Sequence, residues 1–297
     1  MLNNTKRILS LGGVLVLSLL ATMNCGTSRE SVYGNQYVPR VSKPTTIPAD
    51  TLKLWNNRHE KVDLVKAIED LTALAEQNPG DYNLYLKLCN GHYLMADGHL
   101  YLELNSENEE SIKAEQEKHF DSAVKWCERA LGTNEQFYRA IESGVKFDLA
   151  IQSLSKSEVD ALYWKYAALA KWSRIKGLMT LLDNKPSFTA INNRVQELDP
   201  NFFHAAVIRY NAAANFASPV GDKKAGHAQF AEAFKKSPNY FGGKVLYVDL
   251  GLRGDEEKAI KLLNEVIKGD PNKIPEIKSE QIIEQRKAKK LLEEEFS

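Results

Sequence analysis

Cys89, Cys127 and the run His92, Asp97, His99, Glu103 are the side chains in this 297-residue sequence whose types suggest redox or metal chemistry. In an oxidising compartment the two cysteines could form a disulfide. As two buried thiols they would serve equally well as small hydrophobes. A metal site is disfavoured by spacing, because on a helix His92 and His99 stand about 10 Å apart along the axis and cannot share an ion without a third element. No G-x-S-x-G, H-E-x-x-H, C-x-x-C or phosphate-cradling glycine loop occurs. The expectation is therefore no catalytic residues, no metal and no cofactor: a protein that is not an enzyme.

The aromatics carry a stronger signal. In "ALYWKYAALAKWSR", Trp164, Ala168 and Trp172 share one helical face, while Tyr163, Ala167, Ala170 and Arg174 line an adjacent one. Such spacing ordinarily means core. A helix apolar over more than half its circumference must nevertheless bury two faces, so it lies centrally or lines a cavity or a subunit contact. Tyr166, Tyr210 and Tyr247 are amphipathic enough to rim such a cavity. The candidate cavity or interface set is thus Tyr163, Trp164, Tyr166, Trp172, Tyr210 and Tyr247.

Positioning these residues falls to helices. From Thr51 onward the apolar period is helical, and prolines punctuate it at Pro79, Pro200, Pro238 and Pro271. Counting back 12, 8 and 5 residues from three of them gives one small and two apolar or small positions: Ala67, Leu71, Leu74; Gly226, Phe230, Ala233; Ala259, Leu263, Val266. These offsets are the second-helix half of a tetratricopeptide repeat, in which the small residue lets paired helices approach. Before Pro200 the pattern breaks, with Phe188 and Asn192 at the first two positions. Ala123, Cys127 and Ala130 keep the spacing, but Glu135 stands where the proline belongs. The fold expected is all-α: degenerate tetratricopeptide-like hairpins with additional nonstandard helices, as a solenoid or bundle. "GLRGD" at Gly251 is simplest as a turn between two of them.

Composition is consistent with a folded body, with 43% hydrophobic and 26% charged residues. Lysine plus arginine equals aspartate plus glutamate at 39 each, which leaves no electrostatic footprint for nucleic acid. The N-terminus reads separately. Lys6 and Arg7 precede an apolar run from Ile8 to Leu20 that is too short to span a bilayer, as in an export signal over residues 1–24. Cys25 then resembles the acylated cysteine of a bacterial lipoprotein, although Thr22 and Asn24 depart from the usual residues before it. Residues 25–50, with three prolines, read as a polar tether. Extended, Gly26 to Pro48 would reach about 70 Å and hold a single helical domain, residues 51–297, off the membrane.

The stretches "LYLKLCNGHYLMADGHLYLE", "FDSAVKWCERALGTNEQF", "ALYWKYAALAKWSRIKG" and the segment from Leu198 to Val248, with the ending "KAKKLLEEEF", resemble the T component of tripartite ATP-independent periplasmic (TRAP) transporters. The resemblance runs from about Leu64 to Phe296. It implies a membrane-anchored periplasmic lipoprotein that partners a periplasmic solute-binding protein, assembles as a homotrimer, and has an apolar channel or groove for a hydrophobic small molecule. A protein-interaction scaffold using the repeat surface without any ligand is the alternative expectation.

Overall fold

In the computed structural model residues 29–33 and 36–296 are described; the expected export signal and Cys25 lie outside them. The described residues are helical and contain no strand, as the apolar periodicity requires. No described helix is long and apolar enough to cross a membrane.

The chain opens with α1 (Ala49–Asn56), α2 (Lys61–Gln77) and α3 (Tyr82–Leu94). Pro79 cannot continue the ladder of α2. The Asp81 carboxylate restarts it, accepting from the backbone N–H of Asn83 at 2.9 Å and of Leu84 at 3.2 Å. Instead of ending at Leu94, α3 widens into a π-helical turn over Met95–Leu100. Next come α4 (Glu109–Gly132), α5 (Glu135–Glu142), α6 (Val159–Lys176), α7 (Leu178–Asp183) and α8 (Lys185–Leu198). The final run is α9 (Phe202–Ala217), α10 (Lys223–Lys236), α11 (Phe241–Gly251), α12 (Glu256–Ile267) and α13 (Lys278–Glu295).

Successive helices pack as hairpins: α2 on α3, α9 on α10, α12 on α13. The small residues of the proline-offset pattern lie in these seams, with Ala67, Gly226 and Ala259 all buried. Between α3 and α4 the seam is also covalent, because Cys89 and Cys127 form a disulfide with their Cα atoms 5.4 Å apart. Trp172, Phe120 and Leu169 bury the same cluster.

The array closes on itself. α13 returns to the first hairpin, where Arg58 forks onto Glu280 at 2.8 and 2.7 Å and Ser279 donates to the Asn56 carbonyl at 3.0 Å. It also lies against the π turn, and Gly98 makes that approach feasible: a Cβ there would stand 2.9 Å from Ile283 Cγ2. The inner face of the repeats is thereby enclosed by the C-terminal helix.

The tether expectation is corrected. From Arg29 onward the described part of the segment lies along the body. The Arg29 guanidinium grips the buried Glu128 at 2.9 and 3.1 Å and Asp121 at 2.6 Å. Tyr33 is buried with its ring 5.2 Å from Phe137 and 5.8 Å from Phe147. Arg40 donates to Thr133 and pairs with Glu158, and the Thr45 N–H meets Asp81 at 2.6 Å. Gly80, at φ 89°, leaves room for the strap, since a Cβ would strike the Pro39 carbonyl oxygen. Polar, proline-rich composition suggests a free linker; three side chains and one backbone N–H with distant partners make it a strap. The folded body thus begins no later than Arg29, ahead of the expected boundary at Thr51.

Candidate functional site

α6 sits where its sequence demands, with neighbours on two faces: α4 on one side, α8 and α9 on another. The face bearing Tyr163, Trp164 and Tyr166 looks into a chamber of about 350 Å³ enclosed by α3, α6, α8, α9, α11 and α13. That volume falls in the range of small-molecule pockets. Tyr210 of α9 slots between the rings of Tyr163 and Tyr166, which lie one turn apart, at centroid distances of 5.3 and 4.3 Å and interplanar angles of 8° and 12°. Phe188, Tyr240, Leu246 and Leu291 complete much of the apolar wall.

Four of the six expected lining residues therefore converge: Tyr163, Trp164, Tyr166 and Tyr210. Trp172 and Tyr247 do not. Trp172 packs around the disulfide and lines no part of the chamber, whereas Trp164, two turns earlier on the same stripe, touches both. Tyr247 is buried in the C-terminal core, 4.6 Å from the Phe230 ring, its hydroxyl bonded to His227 at 2.7 Å and Lys258 at 3.0 Å. A tyrosine with two polar partners satisfies its hydroxyl without a cavity.

The histidine and carboxylate run also disperses. His92 faces His119 at 2.9 Å, His99 meets the Arg58 carbonyl at 3.0 Å, and Glu103 takes Lys61 at 2.6 Å. Among the described residues no group of three histidine, cysteine or acidic side chains is placed to hold a metal. Asp97 goes to the chamber. Carried by the π turn, it pairs with Lys171 of α6 at 2.5 Å and Lys287 of α13 at 2.9 Å. Burial pushes its carboxyl up, but the two ammonium groups outweigh this and hold it well below the usual range. Glu284 shares Lys287 at 3.0 Å, and burial raises its carboxyl; its Oε2 is buried without a partner.

Arg209, like Tyr240 and Leu246, lines the chamber without having been among the expected residues. It is 2% exposed, and its guanidinium donates to the carbonyls of Phe203, at 2.9 Å, and His204, and to the Tyr163 hydroxyl at 3.2 Å, over the face of Tyr240. Phe203, His204 and Ala205 hold left-handed backbone angles, with φ of 37°, 57° and 60°. Burial keeps the phenols of Tyr163, Tyr210 and Tyr240 protonated, so they present neutral hydroxyls. A signal did exist in the sequence. Phe188 and Asn192, which break the repeat spacing before Pro200, both line the chamber: a site was bought there with the residues a tight seam would use.

The exposed rim mixes polar side chains, among them Arg174, Lys185 and Asn193, with an apolar patch. Leu178 and Leu182 are chamber-lining residues that stand half exposed, at 51% and 43%, and beside them Met179 is 67% exposed.

Chemically, the arrangement can hold an apolar body against stacked aromatics and offers no nucleophile activated by a base. A family model described as TRAP transporter T-component matches residues 65–297. No curated protein matches the chain.

Proposed function

The chain belongs to the TRAP transporter T-component family, and from that premise we propose that it is an exported lipoprotein, anchored through Cys25 in the periplasm, that receives a hydrophobic small molecule in the α6 chamber and exchanges it with a periplasmic solute-binding protein. The observation that carries this reading is the chamber itself: about 350 Å³, walled by Tyr163, Tyr166, Phe188 and Tyr210. An aromatic-lined cavity of that size forgoes the close packing that protein interiors otherwise reach. A ligand would restore it.

The partner would meet the mouth, where Leu178, Met179 and Leu182 are exposed together on one short helix. That same patch favours the second reading, a scaffold that binds proteins and no solute. Native mass spectrometry of detergent-free protein, with titration of a lipophilic fluorophore, separates the two. Co-purified or bound lipophile supports the chamber; protein that carries none and takes up none leaves the scaffold.

A further inference from the structure

We propose that the chamber takes an amphipathic carboxylate, with Arg209 as the receptor for its head group. This rests on the solute-binding reading above and specifies its chemistry. Apart from Lys185, the other charges of the chamber wall have partners. Lys171 and Lys287 share Asp97, Lys287 also holds Glu284, Arg174 pairs with Asp249, and Glu280 is taken by Arg58. Among the described residues, no carboxylate pairs with Arg209, and none with Lys185 at the surface. Lys185 is solvated and needs no counterion. Arg209 is 2% exposed, and its acceptors are neutral: two backbone carbonyls and one phenol.

A buried guanidinium remains charged and is costly to leave without an anion. It carries five N–H donors, and the three bonds described leave part of that fork unused. A carboxylate matches such a fork in geometry and charge. The surrounding rings of Tyr163, Tyr210 and Tyr240 neutralise nothing, but they exclude water, which strengthens a charge-assisted bond. The acid that competes is Glu284, whose unpartnered Oε2 would favour an ammonium head group if it stayed ionised. Lys287 already holds its other oxygen at 3.0 Å, so the charge of Glu284 is answered from within the wall, and burial raises its carboxyl besides.

Calorimetric titration of the mature chain carrying Cys25→Ala with decanoate, decan-1-ol and decylamine at pH 7.5 tests the assignment. Decanoate should bind about tenfold or more tighter than decanol, the span expected for one charge-assisted hydrogen bond. Arg209→Gln should lower decanoate to the decanol level and leave decanol binding in place. Equal affinities for decanoate and decanol in the unmodified site, or tightest binding by decylamine, would overturn the carboxylate proposal and leave the apolar chamber standing. Binding of none of the three would overturn both. Should Arg209→Gln fail to fold, Arg209→Lys keeps the charge and gives up the fork. It should bind decanoate several-fold more weakly than the parent, and an unchanged affinity overturns Arg209 as the receptor.

Discussion

Lys287 of the last helix meets Asp97 of the π turn at 2.9 Å, joining positions 190 residues apart in sequence. The bond fixes α13 over the open side of the array and forms part of the chamber wall. Removing one partner of a buried pair leaves the other uncompensated, which costs about 3 kcal/mol or more. Lys287→Gln and Asp97→Asn should each destabilise by about that amount, and the double variant should show a coupling energy above about 1 kcal/mol in urea denaturation. Additive effects would mean that the bond does not fasten the helix. Because the folded carboxyl of Asp97 is depressed, its stabilisation is present above the unfolded value near pH 3.9 and fades as acid protonates it below that.

Histidines set a second, milder pH dependence. Burial, with His119 beside it, lowers His92 to about 3, and burial likewise lowers His59, His99, His119 and His204. An imidazole kept neutral in the fold binds fewer protons than in the unfolded chain. Stability should thus be full above about pH 6.5 and fall on acidification through the window below it. For His92 alone the loss at pH 5 is up to about 2 kcal/mol by linkage. Urea midpoints at pH 7.5 and 5.0 measure it, and His92→Phe should flatten the difference.

The bond between Cys89 and Cys127 spans 38 residues of sequence and should stabilise by about 2–4 kcal/mol. Non-reducing peptide mapping should recover the linked peptides. Cys89→Ala/Cys127→Ala should lower the unfolding free energy by that amount, and identical denaturation curves with and without reductant would count against the bridge.

Two tyrosines should part company on truncation. Tyr247 is packed in core with both polar partners made, so Tyr247→Ala should cost the ~3–5 kcal/mol of an emptied aromatic site. Tyr210 has rings on two sides and the chamber on another. Tyr210→Ala should cost less, roughly 1–3 kcal/mol, while changing uptake of a lipophilic fluorophore. Equal costs and unchanged uptake would mark Tyr210 as ordinary core.

What could be read in advance follows from how local each signal is. The proline-offset residues Ala67, Leu71, Phe230 and Leu263 repeat within one helix length, and each is buried as the spacing implies. The α6 aromatics announced a helix with two buried faces for the same reason. Trp172 and Tyr247 were misassigned because periodicity says that a face is covered, not whether core or cavity covers it. In sequence Asp97 offers only a metal-ligand reading, since its lysine partners stand 74 and 190 positions away. Arg209 lay in an alanine-rich helix with no charge pattern around it, and its meaning depends on a carboxylate being absent from its surroundings.

The docked strap shortens the leash. Arg29 is held in a buried ionic grip, and an acyl group on Cys25 would be separated from it by four peptide links, about 14 Å at full extension. An extended tether of about 70 Å would let an anchored body swing freely above a bilayer. If Cys25 is acylated, the shorter leash would hold the body at the lipid surface with one pole turned toward it, and a diffusing partner would have to approach from the side or from above. Arg29→Ala, by freeing the strap, should restore the swing without touching the anchor.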